Sequence, residues 1–441
     1  MVPTPGPEGS ASAGRSGETE AEAPRTAGRS PGVGLLRAEL RWPTIGPSTW
    51  AAVAIAVGVA FRVAEYVADR TMWMDEEALL ANVSGRPIFE FGEPMTNSQM
   101  APPGFLAIAR AWVRVLGDSS YAIRLLPLCC GIAALFAIRG VAGRFTSALA
   151  VPIATAFCAA SDDLIYYATE FKQYSSDLLI GLGCLWLGSG LMSGGWTRRR
   201  VVVSGALGVA AAWLSHPSVF VLGAVAGVVG LDAVVGRDWR RLAGAMGLGL
   251  TWAVAFWGCF VVSDAMISPG DREFLWTWWN FAFLPLPPGS IGEAVQVFWQ
   301  FANVFSNPGG IGSPMGPRVT AILCVGLFLV GSASLAARDW RRALLLLLPI
   351  ALTMAASALG RYPFHGRLLL VLIPSVLLPM SEGIAVSGRR CGRLVMVALV
   401  ALLLVSPTTL ALEHILVKGR LRVFDSHGDQ RNDLLDALGG P

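Results

Sequence analysis

Charge is scarce in this chain. Asp, Glu, Lys and Arg make up 15% of its 441 residues, against roughly 25% in an ordinary soluble protein. That scarcity excludes disorder for the bulk of the chain, because segments that stay unfolded are polar and highly charged. Lysine nearly vanishes: Lys172 and Lys418 are the only two, so arginine supplies the other 32 of 34 basic side chains. With 50 glycines and abundant Ala and Val, this bias suits a GC-rich bacterial genome. Cysteine numbers seven, too sparse at this length for a disulfide scaffold. No Cys/His cluster has the spacing of a zinc site. What is abundant is apolar side chain, 54% of the residues, more than the core of a soluble enzyme could bury. The class that remains is an all-α, polytopic membrane protein. The formal net charge of +4 says little; where the charges stand says more.

A helix needs roughly 20 apolar residues to cross the hydrocarbon. Such stretches recur near 48–68, 124–143, 145–164, 173–194, 200–215, 217–235, 242–264, 319–337, 343–359, 368–387 and 394–413, which predicts about eleven transmembrane helices. The pair around His216 and Pro217 is short on both sides, and one broken helix is the alternative there. Residues 1–47, rich in Pro, Gly, Ser, Glu and Arg, read as a disordered tail. Residues 414–441 form a second short tail.

Arginine placement orients the bundle. Arg139 and Arg144, then Arg198 to Arg200, then Arg237, Arg240 and Arg241, then Arg338, Arg341 and Arg342, then Arg389, Arg390 and Arg393 follow alternate spans. By the positive-inside rule those loops are cytoplasmic. The N-terminus is then cytoplasmic, the C-terminus extracytoplasmic, and the location a plasma membrane. Most remaining acids fall on the outer side. Six cysteines lie in spans and Cys391 in a cytoplasmic loop. Two outer loops, the first and the fourth, are long: about 69–123 and 265–317. Interfacial helices are expected in both, one of them over 102–116 with Arg110 and Arg114 four apart. The second loop carries Trp276, Trp278, Trp279 and Trp299, read as an interfacial aromatic belt.

Four polar sites collect on the outer side. The first is WMDEEA, Trp73 to Ala78, just past the first span. As structure, Asp75 would be a helix N-cap with Glu76 and Glu77 in the first turn. As chemistry, Asp75 would take a proton from an acceptor, with Glu76 or Glu77 orienting it or holding a divalent cation. The second is DDLIYYATEFKQYSSD, Asp162 to Asp177. On one helix Asp163, Tyr167, Glu170, Tyr174 and Asp177 share an arc of roughly 80°, although antiparallel spans require a break here. Carboxylates at membrane depth are functional candidates by default. In the same stretch Lys172 is suited either to meeting a phosphate or to snorkelling. The third is RYPFHGR, where Arg361 and Arg367 break the positive-inside pattern with guanidinium forks that suit phosphate oxygens. The fourth is His216 in LSHPS, either a hydrogen-bonded turn residue or an acid, base or metal ligand.

These stretches resemble the GT-C class of membrane glycosyltransferases, most closely family 39 and the bacterial RgtA/B/C/D-like group. The resemblance is carried by WMDEEA, by NSQMAPPGFLAIARAWVRVLGDSSYAIRLLPLCCG from Asn97 to Gly131, by YATEFKQYSSD from Tyr167 and by YPFHGRLLLVLIP from Tyr362. It implies a polyprenyl-phosphate-linked sugar donor and an envelope glycan, lipid or protein acceptor at the outer face, within membrane lipid and without nucleic acid. It places Asp75 at the catalytic acid's position and Glu76 at its acidic neighbour. The segment around Glu170 falls at a second acidic site, and Arg367 lies near the lipid phosphate. Lys172, Arg361 and Tyr174 are further candidates for the phosphate. Glu77, Asp163 and His216 are candidates for assisting the acceptor or a divalent cation, Mg or Mn. One departure stands out. Similar lipid A aminoarabinose transferases carry Glu-Lys before the paired prolines, where this chain has Met100 and Ala101. A metal ligand and a phosphate-binding lysine are therefore missing, which puts metal dependence in doubt. The expected reaction is an inverting displacement. The rival classes are a transporter or flippase for lipid-linked sugars and a non-catalytic scaffold.

Overall fold

The computed structural model describes residues 46–194 and 196–416. The two expected tails lie almost wholly outside these residues. The described residues form helices and no strand.

The chain enters its first span at Pro47, a residue whose fixed φ suits the first helical position, and α1 runs Pro47–Ala68. Two shorter helices follow in the first long loop, α2 (Met74–Val83) and α3 (Pro103–Leu116). Next come α4 (Ser120–Phe145), α5 (Ala150–Ala160), α6 (Asp162–Tyr167) and α7 (Tyr174–Ser193). The middle of the bundle holds α8 (Arg198–Leu214), α9 (Ser218–Val235) and α10 (Trp239–Ala265). The second long loop folds into α11 (Pro269–Trp279) and α12 (Ile291–Asn303). Then come α13 (Pro317–Arg338), α14 (Trp340–Ala358), a 3₁₀ segment (Gly366–Leu372) leading into α15 (Ile373–Cys391), and α16 (Arg393–Leu416).

All eleven apolar stretches are helical, and among the described residues nine helices are long and apolar enough to cross a membrane. The chain is a multi-pass membrane protein. The two expected spans that fall short are α5, with 11 residues, and α8, with 17. For α5 the cause is visible. Fully buried Arg62 of α1 donates to the carbonyls of Cys158 (3.0 Å) and Ala159 (3.3 Å), satisfying groups left open at the helix end. Ser161 then caps α6, its hydroxyl accepting from Leu164 N–H. The chain therefore stops and restarts where hydropathy alone predicts one span. The pair around His216 is two helices, not one broken helix.

The most enclosed span is Gly366–Cys391, in which every residue from Leu369 to Val386 is buried within the bundle. It packs on α13 with almost no space between backbones. A Cβ added at Gly383 would collide with the Leu327 carbonyl.

The bundle has two polar ends of opposite character. At one end the arginines of the short loops close on two buried carboxylates. Asp232 takes Arg241 (2.5 Å) and Arg341 (3.1 Å), and Glu382 takes Arg389 (2.8 Å) and Arg338 (3.3 Å). The other end holds both long loops. Beneath the first, a separate apolar core gathers Leu79, Met95, Phe105, Leu106, Phe171 and Met266. Phe171 and Met266 come from the other two segments at this end, so the core clamps all three together.

Adding one methyl group to a filled site costs typically about 1–3 kcal/mol. Gly383→Ala is therefore expected to lower thermal stability in detergent by at least that amount. Gly326→Ala, where a Cβ meets open space, should leave the melting temperature unchanged.

Candidate active site

The WMDEEA stretch forms the first turn of α2. Trp73, not Asp75, is the N-cap residue, and Glu76 at the third position reaches back to the Trp73 N–H at 3.1 Å. The three adjacent acids then point in three directions. Glu77 is exposed. Glu76 is fully buried, and its two oxygens receive every donor they can use. Arg124 Nε (3.0 Å) and Phe171 N–H (2.9 Å) serve Oε1. Arg70 Nη1 (2.8 Å), Arg124 Nη2 (2.9 Å) and Trp73 N–H serve Oε2. Burial alone would raise the Glu76 carboxyl. Hydrogen bonds from Arg124, with the charges of Arg70 and Arg124, hold it below the usual carboxylate range. Glu76 is thus a tie between α2, α4 and the 168–173 turn, with no lone pair left for a substrate.

Asp75 is the half-buried one. Its Oδ2 lies 2.7 Å from Arg367 Nη2, and its Oδ1 lies 3.5 Å from Gln99 Nε2. The other end of the Gln99 amide accepts from the Lys172 ammonium. Burial pushes the Asp75 carboxyl up, but the charges of Lys172 and Arg367 and the hydrogen bonds from Gln99 and Arg367 outweigh it. The acid stays ionised. Burial lowers the Lys172 ammonium below the ordinary lysine value.

The expected break between the third and fourth spans falls at 168–173, and the aromatic stripe survives it. The Tyr167 and Tyr174 rings meet edge to face at 5.3 Å. Tyr174 lies under the Arg367 guanidinium, 5.6 Å from ring centre to Cζ, a cation–π contact that steadies the fork. Glu170 is 1% exposed, and among the described residues neither carboxylate oxygen has a hydrogen-bond partner. Burial pushes it up to about 7 against the opposing charge of Arg367.

Asp75, Glu170, Lys172, Tyr174 and Arg367 are therefore brought together. Asp163 is buried one turn before Tyr167 on α6. Arg361 is exposed. His216 turns to α10, its Nε2 2.8 Å from Ser263 Oγ, and burial pushes it down to about 4. No hydrogen bond or ion pair among the described residues joins His216 to Asp75, Glu170 or Arg367. Three residues escaped the sequence reading: Arg70, Arg124 and Gln99. The arginines carried the same signal as Arg367, positive charge on the expected outer side. Gln99, a neutral amide, carried none.

The donor set does not suit the expected divalent cation. Asp75 and Glu76 spend their oxygens on arginine, glutamine and backbone donors, which leaves Glu170 alone. Among the described residues no group of three His, Cys, Asp or Glu side chains could hold a metal ion. Two cations, Lys172 and Arg367, stand beside Asp75 instead.

No protein-family model and no curated protein matches the chain. Solved structures do. ArnT from Cupriavidus metallidurans bound to undecaprenyl phosphate superposes with a TM-score of 0.52 at 17% identity, over 80% of this chain and 64% of that one. The Archaeoglobus fulgidus oligosaccharyltransferase in complex with Zn and sulfate gives 0.49 at 12% identity, over 87% of this chain and 56% of that one. The chain thus spans 56–64% of the length of these structures. At these identities the likeness is one of fold: the chain has the GT-C fold of membrane glycosyltransferases.

Removing one partner from a buried, charge-paired group costs about 3–5 kcal/mol, because the others are left uncompensated. Glu76→Gln is therefore expected to destabilise the protein by that order, read as a lower melting temperature or loss of monodisperse protein. Asp75→Asn should melt close to wild type. Equal destabilisation by the two would contradict this division of roles.

Proposed function

We propose that the protein is a glycosyltransferase that moves a sugar from a polyprenyl-phosphate-linked donor to a lipid, polysaccharide or protein acceptor at the extracytoplasmic face. One observation carries the reading: an ionised carboxylate, Asp75, held at one end of a membrane bundle between two cations, half-buried Arg367 and buried Lys172. A base and a phosphate clamp in one crevice are what transfer from a lipid phosphate requires. The fold supports it, and the ArnT neighbour binds undecaprenyl phosphate. The arginine-rich opposite end favours the assignment of this end to the outer face.

The chemistry follows from the geometry. Arg367 pairs with Asp75. An incoming phosphodiester competes for the guanidinium fork, which binds phosphate oxygens at least as well as a carboxylate. As Arg367 turns to the phosphate, Asp75 loses its strongest partner and becomes more basic. The acceptor oxygen then attacks the anomeric carbon, and its proton passes to Asp75. The bond from that carbon to the phosphate oxygen breaks, and its electron pair leaves on the polyprenyl phosphate. Arg367 and Lys172 stabilise that developing charge where water is largely excluded. Attack opposite the leaving group inverts the anomeric carbon.

A positioned general base contributes about 10²–10⁴-fold. Asp75→Asn should lower transfer from radiolabelled polyprenyl-phosphate sugars in membranes by that factor without weakening donor binding, because the carboxylate that competes for Arg367 is gone. Full activity in the variant would sink the assignment. A panel of such sugars, assayed with and without chelator, also identifies the donor.

Glu170 adds a pH dependence whose sign is fixed. It is ionised above about 7 and takes up a proton as the pH falls through that value. Protonation removes a negative charge facing Arg367, so an anionic donor should bind several-fold more tightly at about pH 6 than at about pH 8. Glu170→Gln should flatten that dependence. The measurement is binding of a polyprenyl-phosphate-linked sugar, a phosphodiester whose charge is constant over this range, across pH, and an unchanged slope in the variant would contradict it.

A further inference from the structure

The two long loops meet beside the base. Ser98 Oγ donates to Asp271 Oδ1 at 2.5 Å, and the Met95 N–H donates to the Met266 carbonyl at 2.8 Å. Asp271 holds the third position of α11, where a carboxylate ordinarily reaches back to its own capping residue. Here the Ser268 hydroxyl comes to it instead, 2.5 Å from Oδ2 while accepting from the Asp271 N–H at 3.1 Å. That leaves Oδ1 to cross to the other loop. Hydrogen bonds from Ser268 and Ser98 hold this acid below the usual carboxylate range.

The crossing lands on a strained spot. Asn97 and Ser98 have φ of 59° and 51°, values that residues with side chains adopt only when their surroundings hold them there. The next residue is Gln99, 9% exposed. An ammonium only donates, so Lys172 draws the Gln99 amide oxygen to itself and turns the amide nitrogen towards Asp75 Oδ1. Asn97 completes the setting, its carbonyl accepting from Gln99 Nε2 at 3.1 Å. The strained pair is therefore the mount of the one side chain that joins the lysine to the base.

We infer that Asp271 is a positioning residue: acting through Ser98, it holds Gln99 between Lys172 and Asp75 and so sets the geometry of the base from the second long loop. This rests on the transfer reading above. The same helix presents Phe274, Trp276 and Trp278 to its surroundings, so the carboxylate that reaches Ser98 stands on the helix that carries an aromatic surface.

The scarcity of lysine supplies a readout that needs no activity. Lys172 is one of two lysines, so its acetylation by acetic anhydride can be followed by peptide mass spectrometry on the full-length protein in detergent. Gln99→Ala, Asp271→Ala and Ser98→Ala should each speed Lys172 labelling several-fold. Asp271→Asn, which keeps an accepting oxygen, should stay near wild type. Residues that act as one unit do not add, so the Gln99→Ala/Asp271→Ala double variant should label no faster than Gln99→Ala alone. In transfer assays the same variants should lose roughly 10- to 100-fold in kcat, the scale of a small misplacement in a catalytic site, again without adding. Ser98→Ala leaves the α11 cap untouched, so it tests the strut even if Asp271→Ala fails to fold. Unchanged Lys172 labelling in Ser98→Ala and Asp271→Ala, or effects that multiply in the double variant, would overturn the inference. A wild-type protein that transfers no polyprenyl-phosphate sugar would overturn the transfer reading instead, and the labelling pattern would still decide whether the strut exists.

Discussion

The Glu76 carboxylate ties together the three segments on which the candidate site is built. Its five donors come from Arg70 and Trp73 just before α2, from two nitrogens of Arg124 on α4 and from the backbone at Phe171. Taking that charge out of water is tolerable only because two arginines and two backbone N–H groups replace the lost hydration. Once the tie is made, the neighbouring positions have little choice. Asp75 is turned towards Arg367 and Gln99, and the 168–173 turn brings Lys172 to the same amide, with Glu170 beside it. Arg367, at the entry to the most enclosed span, completes the set from below.

Adjacent acids thus have opposite fates for one electrostatic reason. Glu76 is saturated, and its charge is neutralised by groups that cannot leave. Asp75 is held by Arg367, whose fork a phosphate can claim, and by the amide of Gln99. Glu170 is left, among the described residues, with no hydrogen-bond partner and a proton affinity near neutrality. A saturated acid is structural, an exchangeable pair is poised for chemistry, and a bare carboxyl tunes the charge around them. The same logic sets aside the divalent cation that the family resemblance suggested. The oxygens that would ligate it are already engaged, and two cationic side chains stand where its charge would act.

Much of this was legible in the sequence because charge is rare in it. Eleven apolar stretches proved helical, nine of them among the described residues long enough to cross a membrane, and alternating arginines marked one end of the bundle. Asp75, Glu170, Lys172 and Arg367 stood out as charges where hydropathy forbids them, and they do converge. Hydropathy could not show that α5 would stop at Ala160. A window counts apolar residues and is blind to Arg62, which caps that helix end from α1. Nor could it separate Asp75 from Glu76, since the difference lies in which partners the fold delivers. Arg70 and Arg124 were readable by the rule that picked out Arg367, whereas Gln99 was not. A neutral amide becomes informative only when an ammonium and a carboxylate are found at its two ends.

In the proposed transfer Asp75 and Arg367 act on opposite sides of one anomeric carbon in a single displacement. The anomeric configuration of the product, determined by NMR after transfer from a polyprenyl-phosphate sugar of defined configuration by the purified protein in proteoliposomes, tests this. Complete inversion is expected. Retention of configuration would require two successive displacements through a covalent intermediate, and would contradict it.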